Sequence, residues 1–267
     1  MSRLFATALH QCRLFFIALQ FFTRLPIPRW VGFEAGWLHH AARYFPLVGS
    51  VVAAIAGAVY ALAACLWPAP VAALLATAAG IYATGAFHED GFADMCDGFG
   101  GGLTRERVLE IMKDSRIGAY GAIGITCLLG VKCVALAMLP PAAALGALFL
   151  AHPLSRLCAC ALIWRLEYAR AEGKAKPLAQ DMTTPEFAIA ALGASLPAAL
   201  LVLYGQLPWR AVLGGALAAA LITFWLARKI AQRLGGYTGD CLGAVQQVAE
   251  VVLYLAVLAA FGHGAWH

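Results

Sequence analysis

The stretch FPLVGSVVAAIAGAVYALAACL, residues 45–66, contains no charged side chain in 22 consecutive positions. A transmembrane α-helix needs about 20 mostly apolar residues to cross the hydrocarbon core of a bilayer. The same criterion selects further stretches, at residues 70–87, 118–139, 142–164, 186–204, 210–227 and 242–261. The sequence therefore predicts an all-α fold, that of a polytopic helical membrane protein with about seven transmembrane helices.

The composition of the chain favours the same class. Only 12% of the 267 residues are charged, whereas an ordinary soluble domain carries about 25%. Residues 4–25 carry polar side chains and flanking arginines, so we expect an N-terminal helix that lies in the membrane interface or packs against the bundle. No linker long enough to separate domains interrupts residues 1–267, and we expect a single integral membrane catalytic domain.

Basic residues divide the predicted connections into two sets. Fourteen of the 19 lysines and arginines lie in the connections 24–43, 88–117, 165–185 and 228–241. The positive-inside rule places this set in the cytoplasm, and an odd number of spans places the C-terminus on the far side. All acidic residues except Glu250 lie in or beside the same set, so we expect the polar chemistry at the cytoplasmic face. The net charge of +5 lies mostly in short membrane loops, and we expect no nucleic-acid partner.

Carboxylates are concentrated in TGAFHEDGFADMCDGFGGG, residues 84–102, which contains Glu89, Asp90, Asp94 and Asp97. The spacing of four and three puts the three aspartates on one face of a helix, where like charges repel. A divalent cation converts that repulsion into coordination, and oxygen ligands suit Mg²⁺ or Mn²⁺. The alternative is a solvated acidic helix end, but it does not require this spacing or the interleaved glycines. The pattern favours metal-assisted phosphate chemistry.

The same connection continues to Lys113, Asp114 and Arg116, about twenty residues after the aspartates. A cation beside a metal-bound phosphate neutralises the charge that develops during phosphoryl transfer. Basic residues at a membrane surface also serve as lipid-headgroup anchors, and this alternative stays open for each of them.

Ionisable residues also interrupt the predicted spans, namely Lys132, His152, Arg156 and Glu250. Each costs roughly 2.5–3.5 kcal/mol on insertion scales, so each indicates a site or a buried partner. Each also has a purely structural interpretation. Arg156 and Glu250 could pair with each other, His152 could be a hydrogen-bonded core residue, and Lys132 could serve a structural role.

A glycine-rich connection, RLGGYTGDCLGA (233–244), precedes the last predicted span and contains Gly236 and Asp240. A glycine-rich turn that opens a helix can bind an anion at the helix N-terminus. An ordinary turn is the equal alternative.

These motifs together resemble the cobalamin synthase family, the adenosylcobinamide-GDP ribazoletransferases. The resemblance rests on TRLPIP (23–28), RYFPLVG (43–49), HEDGFADMCDG (88–98), KDSRIGAYG (113–121) and GGYTGDCLGA (235–244). It implies a Mg²⁺-dependent phosphotransferase of the bacterial inner membrane with a cytoplasmic active site. Its substrates are adenosylcobinamide-GDP and α-ribazole or α-ribazole 5′-phosphate, and its products are adenosylcobalamin, or its 5′-phosphate, and GMP.

The resemblance also implies residue roles. Metal ligands would come from Asp90, Asp94 and Asp97, with Glu89 and Asp114 as further candidates. One of these three aspartates, with Asp97 as the first choice, would instead accept the hydroxyl proton, while Lys113 and Arg116 would bind phosphate. Substrate-binding candidates are His152, Arg156, Gly236, Asp240 and Glu250. Besides the lipid bilayer, we expect association with further copies of the chain and with other enzymes of the corrinoid pathway.

Two other functions share some of these sequence features. CDP-alcohol phosphotransferases also use aspartate clusters at a membrane surface, but their pattern has arginine after the alanine, where this chain has Asp94 after Ala93. A transporter would use Lys132, Arg156 and Glu250 to line a path. The sequence has no paired halves with broken helices, and its polar residues gather at one face, which argues against a transporter.

Overall fold

The computed structural model describes residues 2–34, 36–169 and 182–262, with side chains from residue 7 onward. Arg170, Lys174 and Lys176, which the topology prediction used, lie outside the described residues. The helices of the described part are α1 (Ser2–Phe22), α2 (Trp37–Ala41), α3 (Phe45–Ala64), α4 (Ala69–Thr84), α5 (Phe87–Gly101), α6 (Arg105–Ile111), α7 (Ala119–Ala137), α8 (Pro141–Arg165), α9 (Thr184–Leu203), α10 (Trp209–Leu234) and α11 (Gly239–Gly262). Short 3₁₀ turns at Arg29–Val31 and Ala42–Tyr44 connect the first three helices.

The predicted fold class is confirmed. Six helical stretches of the described chain are long and apolar enough to cross a membrane, namely Trp37–Ala64, Ala119–Ala137, Pro141–Arg165, Thr184–Leu203, Trp209–Leu234 and Gly239–Gly262. A seventh is counted if the bent pair α4–α5 is one span. The N-terminal helix α1 is not among them, and its Phe22 packs edge-on against Phe45 of α3, with ring centroids 4.3 Å apart.

The predicted span 70–87 is wrong in its C-terminal boundary, because the helix there is shorter and is followed by a sharp bend. Helix α4 ends at Thr84, and the chain turns by 91° into α5. Gly85 and Ala86 both take the left-handed conformation, with φ of 68° and 60°, which ends one helix and starts the next. At 1.5 Å per residue, α4 is roughly 24 Å long, shorter than the hydrocarbon core of roughly 30 Å. The predicted connection 88–117 is therefore largely helical, formed by α5 and α6.

Helices α8 and α11 occupy the centre of the bundle. In the apolar window of α8, 72% of the residues are buried, against 28% in each of α7, α9 and α10. α8 packs between α3 and α11, and α11 packs in turn on α5 and α10. The carboxylate-bearing helix α5 therefore rests directly on the central helix α11, a contact that positions the candidate site.

Candidate functional site

A close backbone contact joins α5 to the start of α11. A Cβ atom placed on Gly91 would lie 2.9 Å from Cα and 3.0 Å from the carbonyl oxygen of Asp240. Only a residue without a side chain permits this approach. Asp90 and Asp94 flank Gly91 in α5, so the contact brings Asp240 to the aspartates of the HEDGFADMCDG motif. Asp90 is exposed, and Asp94 and Asp240 are partly exposed, so this end of the contact is open to solvent.

Asp97 has a different environment from the other two aspartates of α5. Its Oδ2 accepts a hydrogen bond from Gly118 N at 2.7 Å, and its Oδ1 accepts one from Gly121 N at 2.8 Å. These are free amides at the start of α7, where a negative charge also interacts favourably with the helix dipole. The buried Asp97 carboxylate therefore fastens the N-terminus of α7 to α5.

Asp90 and Asp94 form the solvent-accessible part of α5 that we call the aspartate face, and Glu89 lies apart from it. Its side chain is buried, and its Oε1 accepts a hydrogen bond from Gln247 Nε2 at 2.7 Å. Its Oε2 is buried without a hydrogen-bond partner among the described residues. The structure thus places Glu89 with the polar groups inside the bundle and not with Asp90 and Asp94.

The connection from α6 to α7 lies close to Asp97 in space, because Gly118 at its end donates a hydrogen bond to the Asp97 carboxylate. Within this connection, the Arg116 guanidinium donates to Asp114 Oδ2 at 2.8 Å. Hydrogen bonds from Arg116 hold the pKa of the exposed Asp114 carboxyl at about 2. Lys113 and Arg116 are both exposed, so solvent reaches both cations.

A buried charged network crosses the middle of the bundle. Lys132 Nζ of α7 lies 2.7 Å from Glu250 Oε1 of α11. Glu250 also accepts hydrogen bonds from Gln246 at 2.7 Å and from Tyr254 at 2.8 Å. His152 Nδ1 lies 3.7 Å from Glu250 Oε2. Glu250 thus pairs with Lys132, and no Arg156–Glu250 ion pair occurs among the described residues.

Arg156 instead donates to the carbonyl oxygen of His152 at 3.0 Å. Its Nε atom is buried without a hydrogen-bond partner among the described residues. With His88 and Gln246, Arg156 lines a small aromatic-walled pocket that reaches Gly239, the residue before Asp240. The network is therefore adjacent to the start of α11, and through Gln247 and Glu89 it also contacts α5.

Gly236 fastens the turn before α11 to the end of α8. Its backbone packs against the carbonyl of Glu167, and the next residue, Tyr237, donates to that carbonyl at 2.9 Å. Arg105, which sequence reasoning missed, donates to Leu234 O at 2.7 Å and to Ala169 O at 2.9 Å. Nothing in the local pattern distinguishes Arg105 from a surface arginine, because both of its partners are distant backbone carbonyls.

The fold and this cluster define a polytopic membrane protein whose carboxylate-bearing helix is held against the start of a central span. The chain belongs to the cobalamin-5-phosphate synthase family, whose model matches residues 14–258. The resemblance found in the motifs is confirmed, and the chain is a transferase of cobalamin biosynthesis.

Curated relatives match nearly the whole chain. A protein of Leptothrix cholodnii named adenosylcobinamide-GDP ribazoletransferase is 48% identical, over 98% of this chain and 99% of its own. Proteins of the same name from Ralstonia nicotianae and Shewanella frigidimarina are 47% and 45% identical, over 93% and 94% of this chain and 95% and 96% of their own. No solved structure matches the chain.

Proposed function

We propose that this protein is an adenosylcobinamide-GDP ribazoletransferase of the bacterial inner membrane. It joins adenosylcobinamide-GDP to α-ribazole, or to α-ribazole 5′-phosphate, and releases GMP. The observation that carries the proposal is the 48% identity to a relative of that name over 98% of the chain. The exposed aspartate face of α5 is where we place the chemistry.

The reaction is a phosphoryl transfer. A free ring hydroxyl of the ribose forms a bond to the cobinamide-linked phosphorus, since the 5′ oxygen carries the phosphate in α-ribazole 5′-phosphate, and the bond from that phosphorus to the oxygen bridging to GMP breaks. GMP leaves with the bridging oxygen, and the hydroxyl proton passes to a base. Such a reaction depends on positioning and charge stabilisation more than on covalent catalysis.

We assign proton acceptance to Asp94 and a positioning role to Asp97. Both oxygens of Asp97 already accept hydrogen bonds from backbone amides at the start of α7. This carboxylate therefore serves to hold α7 in place. Asp94 is partly exposed on the same face of α5, where a bound hydroxyl can reach it.

Mg²⁺ is the metal that this site fits best. The described residues contain no preformed group of three or more histidine, cysteine or acidic side chains at metal-binding distances. Mg²⁺ does not need such a cage, because it usually keeps several waters and binds through one or two carboxylates plus substrate phosphates. The Gly91 contact sets the backbone of Asp240 against α5, and in this proposal Asp90, Asp94 and Asp240 supply the carboxylate oxygens. When bound, the ion would neutralise charge on the diphosphate.

The two cations of the α6–α7 connection complete the site in this proposal. Arg116 forms an exposed pair with Asp114, and a bound diphosphate would compete with that carboxylate for the guanidinium. Lys113 supplies a second, flexible charge beside it. Asp114 then acts by holding Arg116 in the absence of substrate, and not as a metal ligand.

Product analysis tests the function. Detergent-purified protein is incubated with adenosylcobinamide-GDP, α-ribazole and Mg²⁺, and corrinoids and nucleotides are separated by chromatography. We expect cobalamin and GMP in equal amounts, and no product after chelation with EDTA. Turnover of a CDP-alcohol substrate without any cobalamin would overturn the proposal.

The close approach at Gly91 yields a separate prediction. We expect Gly91→Ala to lower turnover on the order of 10²-fold, because the added Cβ pushes Asp240 away from the α5 aspartates. Gly130→Ala in α7 is the matched control, since a Cβ there meets nothing within 4 Å. Steady-state kinetics compare the two variants, and wild-type turnover in Gly91→Ala would contradict the assigned geometry.

The proposed orientation of the membrane protein is tested by cysteine labelling. In a background with the exposed Cys12, Cys65 and Cys127 replaced by alanine, we introduce Lys113→Cys or Gln206→Cys. A membrane-impermeant maleimide should label the Gln206→Cys protein in intact spheroplasts, and the Lys113→Cys protein only after lysis, because the basic connections face the cytoplasm. The reverse pattern would place the aspartate face outside.

A further inference from the structure

A long apolar groove runs along the outside of the bundle between α8 and α10. Its volume is about 700 Å³, within the range of roughly 300–1,000 Å³ that small-molecule sites occupy. Its walls are formed mainly by alanine and leucine side chains of the two helices, and Phe187 of α9 also contributes to the lining. It is separate from the aspartate face, which lies on α5 and α11.

The length of the groove corresponds to one leaflet of a bilayer. Along α8 and the residue after it the groove extends from Leu154 to Leu166, and on α10 from Ala216 to Ala231. At 1.5 Å per residue these segments are roughly 18 Å and 22 Å long, against roughly 15 Å for the hydrocarbon of one leaflet. The groove therefore has room for an acyl chain and for the glycerol and phosphate that follow it.

Two arginines lie at the basic end of the groove. Arg165 covers the ring of Trp164 at 3.8 Å, and Arg228 lies over Phe224 at 5.6 Å. Neither forms an ion pair with a carboxylate in the part of the chain that the structure describes. Both guanidinium groups are thus available to a phosphate at the membrane surface.

A buried hydroxyl lies deeper in the same groove. Thr223 is only 7% exposed, and its Oγ1 has no hydrogen-bond partner among the described residues, apart from the weakly polar thiol of Cys158 beside it. Thr223 precedes Arg228 by five residues, which is roughly 7 Å along the helix. A hydrogen-bond acceptor at that depth below a phosphate bound to Arg228 would accept a hydrogen bond from the Thr223 hydroxyl.

We propose that this groove binds an anionic phospholipid. One acyl chain fills the apolar channel, the headgroup phosphate binds Arg165 and Arg228, and an ester carbonyl accepts a hydrogen bond from Thr223. The groove opens beside exposed apolar residues of α10, Leu217 and Leu221, as expected of a surface that faces lipid. Contact through α7, α9 or α10 of a second copy would bring no negative charge to the arginines, because these helices contain no acidic residue except Glu186, which is buried and paired with Arg43.

Native mass spectrometry of the detergent-purified protein tests the proposal. Phosphatidylglycerol and phosphatidylcholine of identical acyl chains are added in competition. One arginine near a membrane surface contributes about fivefold to binding of an anionic lipid. We expect the double variant Arg165→Gln/Arg228→Gln to reduce the preference for phosphatidylglycerol about 25-fold.

Arg210→Gln is the matched control for charge. Arg210 is on the same helix and also lies over an aromatic ring, that of Trp209, but it is at the opposite end. We expect this variant to keep the wild-type preference. An equal loss in Arg210→Gln, or no loss in the double variant, would overturn the proposal.

A second pair of variants separates the groove from the general lipid surface. Ala220→Trp fills the groove, whereas Leu221→Trp places the same ring on the neighbouring lipid-facing position, where the side chain is 71% exposed. We expect loss of bound phosphatidylglycerol in Ala220→Trp alone. A dimer that dissociates in Ala220→Trp while lipid binding persists would assign the groove to a second copy and overturn the lipid site.

Discussion

Asp94→Asn should abolish most of the transferase activity, lowering kcat on the order of 10²–10³-fold. The variant keeps the size and shape of the side chain but removes the charge that we assign to metal binding and proton acceptance. Because Asp94 is partly exposed on α5, its neutralisation should leave the folded protein nearly as stable as before. The measurement is GMP release at saturating substrate, with thermal unfolding of the same preparation.

Glu106→Gln is the control for this prediction. Glu106 is an exposed carboxylate in the first turn of α6 and belongs to the same stretch between α4 and α7. Its neutralisation changes the net charge equally but should leave kcat within about twofold, since exposed charges away from a site contribute little. If Asp94→Asn also retained wild-type kcat across a Mg²⁺ titration, the catalytic assignment of the α5 face would be wrong.

The second large effect concerns stability. Lys132→Met should lower the free energy of unfolding by roughly 3–5 kcal/mol, because it leaves the Glu250 carboxylate buried without its cation. Glu250→Gln should be destabilising as well, since it leaves Lys132 charged and 4% exposed within the bundle. The double variant Lys132→Met/Glu250→Gln removes both charges and should recover much of the loss.

A double-mutant cycle from denaturation in mixed micelles measures this coupling. Arg107 and Glu110 form an exposed pair at 2.7 Å on α6, and Arg107→Met should cost less than 1 kcal/mol by comparison. Additive effects of the Lys132 and Glu250 substitutions would refute the buried pair. Because Gln247 links Lys132 to Glu89 on α5, we also expect the single variants to lose activity in proportion to their instability.

The helical membrane class was predictable from the sequence because its cause is local. An uncharged run such as 45–66 cannot satisfy its backbone in lipid except as a helix, whatever its neighbours do. The spacing of Asp90, Asp94 and Asp97 was likewise sufficient to predict a shared helical face, since a helix repeats every 3.6 residues. The family motifs, which are short and contiguous, led to the right family for the same reason.

What the tertiary structure decided depends on contacts between residues far apart in the chain. Nothing local indicates that Asp97 binds the amides at the start of α7, that Glu89 points to Gln247, or that Glu250 pairs with Lys132 and not with Arg156. The bend after Thr84 also escaped prediction, because hydropathy records how apolar α4 is but not the left-handed backbone at Gly85 and Ala86. Residue type and spacing determined which side chains are candidates for the site. The packing of α5 on α11 decided which of these candidates lie near one another, because contacts depend on proximity in three dimensions and not on distance along the sequence.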